Sequence, residues 1–153
     1  VSIAADEEVV AIYIILVLMK TANCDKKNII LLSKLINQNM LFALHYEDTV
    51  KFAAYRADRV VMSDSRSMDD WELKLKGLSL SSSWDALIAD TCELEPVDGK
   101  SLDEMIIQNE NIKKLEKKIV LLEKKAMNER QPRRKWDLAQ EIKQLKEQLK
   151  GAQ

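Results

Sequence analysis

Few residues in this chain have types and spacings that could do chemistry. His45 is the sole histidine, set between Leu44 and Tyr46 in a strand-like run. It has no second imidazole to work with, so its expected place is packed within, or at the edge of, a sheet. The two cysteines, Cys24 and Cys92, stand 68 positions apart and make no Cys-x-x-Cys or Cys/His zinc spacing. With three scattered glycines, no phosphate loop, dinucleotide fingerprint or nucleophile elbow can form. One carboxylate–lysine pattern remains. Glu72 and Lys74 stand two apart in a run that reads as a strand, which would put both on one face. Metal-dependent nucleases of the restriction-endonuclease type use such a Glu-x-Lys, with an upstream Asp, to hold Mg²⁺ and activate water. Asp58 or Asp64 would supply that Asp. The plainer reading is a charged strand face meeting water.

A second constellation is basic. Lys124, Lys125, Arg130, Arg133, Arg134 and Lys135 gather around Pro132, opposed locally by Glu129 and Asp137, and Trp136 follows directly. Arg beside Trp is the composition of interaction hot spots and of phosphate-plus-stacking contacts. These residues are the candidate surface for an acidic protein partner or for nucleic acid. The plainer alternative is a solvated turn with Trp136 packed near Met127.

The elements that must carry these residues fall into two styles. Residues 8–19 are rich in Val, Ile and Tyr and read as a buried strand. A helix over 25–37 follows, with Ile29, Leu32, Leu35 and Ile36 at helical spacing. Residues 40–46 and 49–57 read as a hairpin across Glu47 and Asp48, and 59–62 extend or follow it. Residues 63–70 are loop-like, 71–75 a short strand ended by Gly77, and Ser81 to Ser83 cap a helix running to Cys92. The expected N-terminal part is thus an α+β body over 1–95, a small mixed sheet of about four strands with two short helices. A linker over 96–100 contains Pro96 and Gly99. Beyond it, Ser101 and Glu104 have capping-box spacing for a helix to about Glu129, with an apolar seam of Met105, Ile112, Leu115, Ile119, Leu122 and Ala126. Gln108 fills the gap in that seam. After Pro132 a second helix carries Leu138, Ile142, Leu145 and Leu149, and Gly151 is expected to end it. Residues 101–153 therefore read as an antiparallel coiled-coil hairpin. Its arms are roughly 43 Å and 24 Å at 1.5 Å per residue, so the early turns of the longer arm are expected to contact the body.

Length and composition bound what such a chain can be. Its 153 residues are 46% hydrophobic and 32% charged, too apolar for a disordered tail and too poor in Gly and Cys for collagen-like or disulfide scaffolds. The longest apolar run, residues 9–19, falls short of the ~20 that a membrane helix needs, and no basic segment precedes it as in a signal peptide. A cytoplasmic setting without membrane partners is expected, and no cofactor or metal is implied. The chain opens on Val1, which suggests a trimmed N-terminus. Its net charge of −1 hides an asymmetry: residues 1–100 carry 11 basic and 16 acidic side chains, whereas residues 111–153 carry 13 and 6.

The segment from Glu123 through Gln131, Pro132, Arg133, Arg134, Lys135 and Trp136 to Ile142 and Leu145 resembles the C-terminal signature of a bacterial family, domain-of-unknown-function family 4391. That signature has an EKKA-like run, a QPRKK-like turn with an aromatic, and a closing IKxLK helix. The strand pair at 41–46 and 50–56 and the LKLKGLSL run at 73–80 fit in order and spacing, so the resemblance covers nearly the whole chain. Members usually carry a further N-terminal helical segment without a counterpart here, which implies a fragment. The family brings no catalytic residues to transfer. Its genes tend to sit beside DNA methyltransferases and helicases in anti-phage defence islands. The resemblance therefore implies a non-catalytic accessory or interaction module of a defence or restriction–modification complex. Its partner would be a larger protein, a DNA helicase or methyltransferase.

Overall fold

The structure, a computed structural model, describes residues 9–94 and 99–152. The chain order is β1 (Ile12–Leu18), α1 (Lys26–Ile36), β2 (Asn39–Tyr46), β3 (Thr49–Arg56), β4 (Arg59–Met62), β5 (Arg66–Ser67), a single 3-10 turn (Met68–Asp70), α2 (Leu80–Cys92), α3 (Leu102–Asn128) and α4 (Pro132–Ala152). This is the α+β class expected, with a mixed sheet followed by a helical pair. The chain forms two compact units, Val1–Asp103 and Glu104–Gln153.

In the first unit β1 and β2 run parallel, joined by α1, and β2, β3 and β4 form an antiparallel meander. Parallel neighbours need a crossover, and α1 supplies it. Asp25 caps that helix by accepting from the Lys27 N–H at 2.9 Å, and Asn37 ends it in the left-handed conformation that Asn tolerates. β3 and β4 meet across Ala57 and Asp58, both at positive φ, the backbone of a tight hairpin whose twist matches the strands.

Both faces of the sheet are covered over β2 and β3, while the face of β1 that carries Ile14 and Leu16 stays open. On one face Met40, Phe42, Leu44 and Ala53 pack with Ile29 of α1, joined by the partly buried Ile15 and Val17 of β1. Alternation along the strands puts Leu41, Ala43, Phe52 and Ala54 on the other face, all of them buried. Arg56 also leaves β3 on that face and bonds to Asp85 of α2 and Asp103, the latter at 2.6 Å.

In this unit four details differ from the sequence reading. Residues 63–70 are not simply loop. The pairing of β3 moves from β4 to β5 with a one-residue shift in register, which makes a bulge around Ser63. The Ser63 side chain accepts the Phe52 N–H at 2.8 Å across that break. Residues 71–75 form no strand, because β4 and β5 already occupy the far edge of β3. Trp71 instead anchors the segment there, its indole N–H donating to the Val50 carbonyl at 3.0 Å and its ring standing edge-on to Phe52 at 4.8 Å. The cap of α2 is Ser79, reciprocally bonded with Ser82, rather than Ser81 to Ser83. Gly77 makes that arrangement possible: it sits at φ +118°, and a Cβ there would stand 2.4 Å from the Ser82 Oγ. Lastly, of the four apolar residues that mark the inner face of α1, only Ile29 is buried, and Leu35 is 72% exposed.

In the second unit α3 and α4 are joined by three residues, 129–131, so the helices return antiparallel. Ile119, Leu122 and Leu145 are buried between them, flanked by Leu115, Leu138, Ile142 and Leu149. Ion pairs Lys118–Glu141 at 2.9 Å and Glu123–Lys146 at 2.8 Å cross the seam. The Gln108 amide, in the gap of the apolar repeat, donates to the Ala152 carbonyl. Gly151 does not end α4. It lies within the last turn, where the helix continues to Ala152. Of the linker expected over 96–100, residues 96–98 lie outside the described residues, and Gly99, at φ +81°, and Lys100 lie outside any helix or strand. No helix among the described residues is long and apolar enough to cross a membrane.

Candidate functional site

The turn of the hairpin is built by local chemistry. Glu129 folds its carboxylate back to accept the Gln131 N–H at 2.9 Å, and the Gln131 carbonyl accepts the Lys135 N–H at 3.0 Å to open α4. Pro132 takes the first helical position, where its missing N–H costs nothing and its fixed φ suits the helix. The first turn of α4 then carries Arg133, Arg134 and Lys135 with no acidic residue. That placement opposes the helix dipole, whose N-terminal end is positive and favours Asp or Glu. Lys124 and Lys125, by contrast, lie near the C-terminal end of α3, where cations are favoured.

All six cations of the cluster, Lys124, Lys125, Arg130, Arg133, Arg134 and Lys135, are exposed. None of them forms an ion pair with another described residue, whereas Lys114, Lys118 and Lys146 along the arms each reach a carboxylate. Trp136 is 63% exposed, and Met127 is more exposed still. Trp136 is therefore presented to solvent rather than packed near Met127. Between the arms beside the turn opens a groove of about 700 Å³, lined by Leu121, Lys124, Lys125, Arg134, Asp137 and Leu138 among others. Its lining mixes the apolar Leu121 and Leu138 with charged side chains of both signs. The structure thus brings unpaired cations, an exposed indole and a shallow groove together at one end of the second unit.

The nuclease pattern fares differently. Glu72 and Lys74 are exposed, lie outside any strand, and pair with each other at 3.0 Å. Asp64 sits in the bulge between β4 and β5, its carbonyl accepting the Ser63 hydroxyl. Among the described residues no group of three or more His, Cys, Asp or Glu side chains is placed to hold a metal ion. His45 is half-buried in β2, and its carbonyl accepts the Met19 N–H at 2.8 Å. Cys24 and Cys92 are not disulfide-bonded.

Sequence reasoning missed the cluster around Arg56. The guanidinium bridges Asp85 and Asp103, and a cavity of about 210 Å³ opens beside it against Trp84 and Tyr55. Burial pushes the Arg56 pKa down, but the hydrogen bonds and charges of the two carboxylates outweigh it and hold the group above its ordinary value. Three residues spread over 47 positions carry no local signal that would have joined them.

The family model described as "Domain of unknown function (DUF4391)" matches residues 1–149, and the chain belongs to that family. No curated protein and no solved structure matches it.

Proposed function

We propose, with membership of this family as the premise, that the chain is a non-catalytic interaction module of an anti-phage defence or restriction–modification type complex. In this reading the basic tip of the α3–α4 hairpin docks on a larger DNA-acting protein, a helicase or methyltransferase, at an acidic surface of that partner. The observation that carries the reading is the set of unpaired cations around Pro132, three of them set against the dipole of α4, beside an exposed Trp136. A chain that keeps charge where its own fold disfavours it gains by meeting an opposite charge elsewhere. Arg and Trp are also the residues that dominate binding energy at protein interfaces.

Charge reversal tests this. Arg133→Glu with Arg134→Glu is expected to abolish capture of the partner encoded beside the gene while leaving the far-UV spectrum and melting cooperativity intact. Unchanged capture by the double variant would defeat the proposal. The same cations suit phosphate, so a gel shift with duplex and single-stranded DNA accompanies the pull-down. Direct nucleic-acid binding would weaken steeply with salt, the logarithm of the binding constant falling by about 0.7–0.9 per neutralised phosphate for each unit of log salt.

A further inference from the structure

The geometry points to an acidic amphipathic helix of a partner protein as the occupant of the groove between α3 and α4. It rests on the docking proposed for the tip and names what the tip docks on. The groove, about 700 Å³, lies beside the turn within the second unit. On one wall Leu121, Lys125 and Asn128 stand in i, i+4, i+7 order, and on the other Arg134, Leu138 and Glu141 repeat the same steps. That spacing lines up three side chains on one flank of each helix, over roughly 10 Å at 1.5 Å per residue. A third helix fits such a channel, because its own i, i+4, i+7 side chains meet both walls in step. An extended strand would send every second side chain out of it.

Leu121 is a residue that the hairpin does not need. The seam between the arms is closed by Ile119, Leu122 and Leu145, all buried. Leu121 lies off that seam and is 60% exposed. Its four neighbours one turn away, at i−4, i−3, i+3 and i+4, are Lys117, Lys118, Lys124 and Lys125. One leucine thus stands inside a frame of lysines, an apolar anchor point with a charged rim. Across the groove Leu138 is half-buried. An apolar side chain laid between Leu121 and Leu138 covers both and leaves the seam intact.

Charge selects the occupant. Of the three carboxylates that line the groove, Glu141 pairs with Lys118 at 2.9 Å and Glu129 accepts the Gln131 N–H at 2.9 Å. Lys124, Lys125 and Arg134 form no ion pair with a described residue. Asp137 alone is left to offset three cations. A helix with Asp or Glu one turn to either side of its apolar residue supplies the missing charge. A second copy of the hairpin does not. Laid groove to groove with the tips together it sets cations against cations, and laid end for end it puts α3 on α3, lysine on lysine. A phosphate backbone answers the cations but leaves Leu121 uncovered.

The probe is a fluorescein-labelled peptide of about four helical turns, stapled on its far face so that it is helical in water. It carries two leucines one turn apart, flanked by glutamates. Titrated with the full chain and followed by anisotropy, it is expected to saturate. Exchanging its leucines for serines keeps the charge and is expected to weaken binding at least about tenfold. Leu121→Ser in the chain, at a position already exposed, is expected to do the same with an unchanged far-UV spectrum. Two results separate this proposal from its premise. A serine peptide that binds equally well, or a Leu121→Ser chain that binds normally while Arg133→Glu with Arg134→Glu does not, means that the tip acts by charge alone; the groove proposal then fails and the docking stands. Failure of the unaltered chain to bind the leucine peptide also overturns the groove proposal, and the capture experiment judges the docking by itself. Tighter binding of a single-stranded oligonucleotide, equal in Leu121→Ser, gives the site to nucleic acid. A sedimenting mass above 17.6 kDa that Leu121→Ser lowers gives it to a second copy. Either outcome overturns the proposal.

Discussion

Arg56 leaves the sheet at the end of β3 and holds two carboxylates from distant parts of the chain, Asp85 and Asp103. Its side chain is three-quarters covered, while the two carboxylates are about half exposed. Hydrogen bonds to charged groups contribute about 1.5–3 kcal/mol when sheltered, and exposed pairs contribute roughly 0.2–1 kcal/mol. Arg56→Met keeps the apolar stem but leaves Asp85 and Asp103 without their shared cation. The expected loss is about 1–2 kcal/mol, read as a lower urea midpoint at unchanged slope. A raised basic pKa favours the folded state below the unfolded value, and that gain fades only as pH climbs through the folded one. For Arg56 both lie beyond ordinary alkaline buffers, so titration of the guanidinium itself leaves the loss constant across the neutral range. The Ser63 side chain, which accepts the Phe52 N–H at the bulge, is a similar case of a tertiary role without a sequence signature. A serine in a polar run is compatible with loop or bulge alike, and only the partner strand decides.

At the scale of elements, the readable features were those set by local chemistry. Asp25 and Asn37 bound α1 as cap and left-handed terminator, and Pro132 opens α4. The 3–4 spacing of Ile119, Leu122, Leu138, Ile142 and Leu145 foretold the hairpin seam. What periodicity could not tell is whether an apolar face finds a neighbour. Leu35 of α1 and Leu145 of α4 are equally good members of their repeats, yet Leu35 is exposed and Leu145 buried. Residues 71–75 failed for a related reason: their strand-like composition met an edge already filled by β4 and β5. The seam yields a direct prediction. Leu145→Ala empties the position that packs with Ile119 and Leu122, and a truncation of this kind in a core costs about 2–4 kcal/mol. Val120→Ala on the exposed side of α3 is expected to stay within about 0.5 kcal/mol. Thermal melts followed at 222 nm separate the two variants, and equal losses would mean that the seam does not hold the hairpin.

At the scale of the whole molecule, the net charge of −1 and the sequence pI near 6.0 misdescribe how the surface meets a charged partner. Charge acts through its local field rather than its sum, since screening removes contributions from beyond about 8–10 Å at physiological salt. Residues 1–100 carry a balance of −5 and residues 111–153 a balance of +7. The densest cations, around Pro132, form no ion pair with a described residue and outnumber the neighbouring Glu129 and Asp137. A partner or a resin that touches the tip therefore meets a strongly basic surface on a chain that is formally acidic. The chain is expected to bind a sulfonate cation exchanger at pH 7, above its pI, and to elute only with added salt. Arg133→Glu with Arg134→Glu lowers the balance of residues 111–153 from +7 to +3 and is expected to pass through unretained. The same reversal of two lysines away from the tip, Lys143→Glu with Lys150→Glu, changes the total charge equally but should leave most of the retention. Equal loss in both variants would show that total charge and not the tip governs binding. Loss confined to the tip variant ties retention to the same residues on which the docking function is proposed to rest.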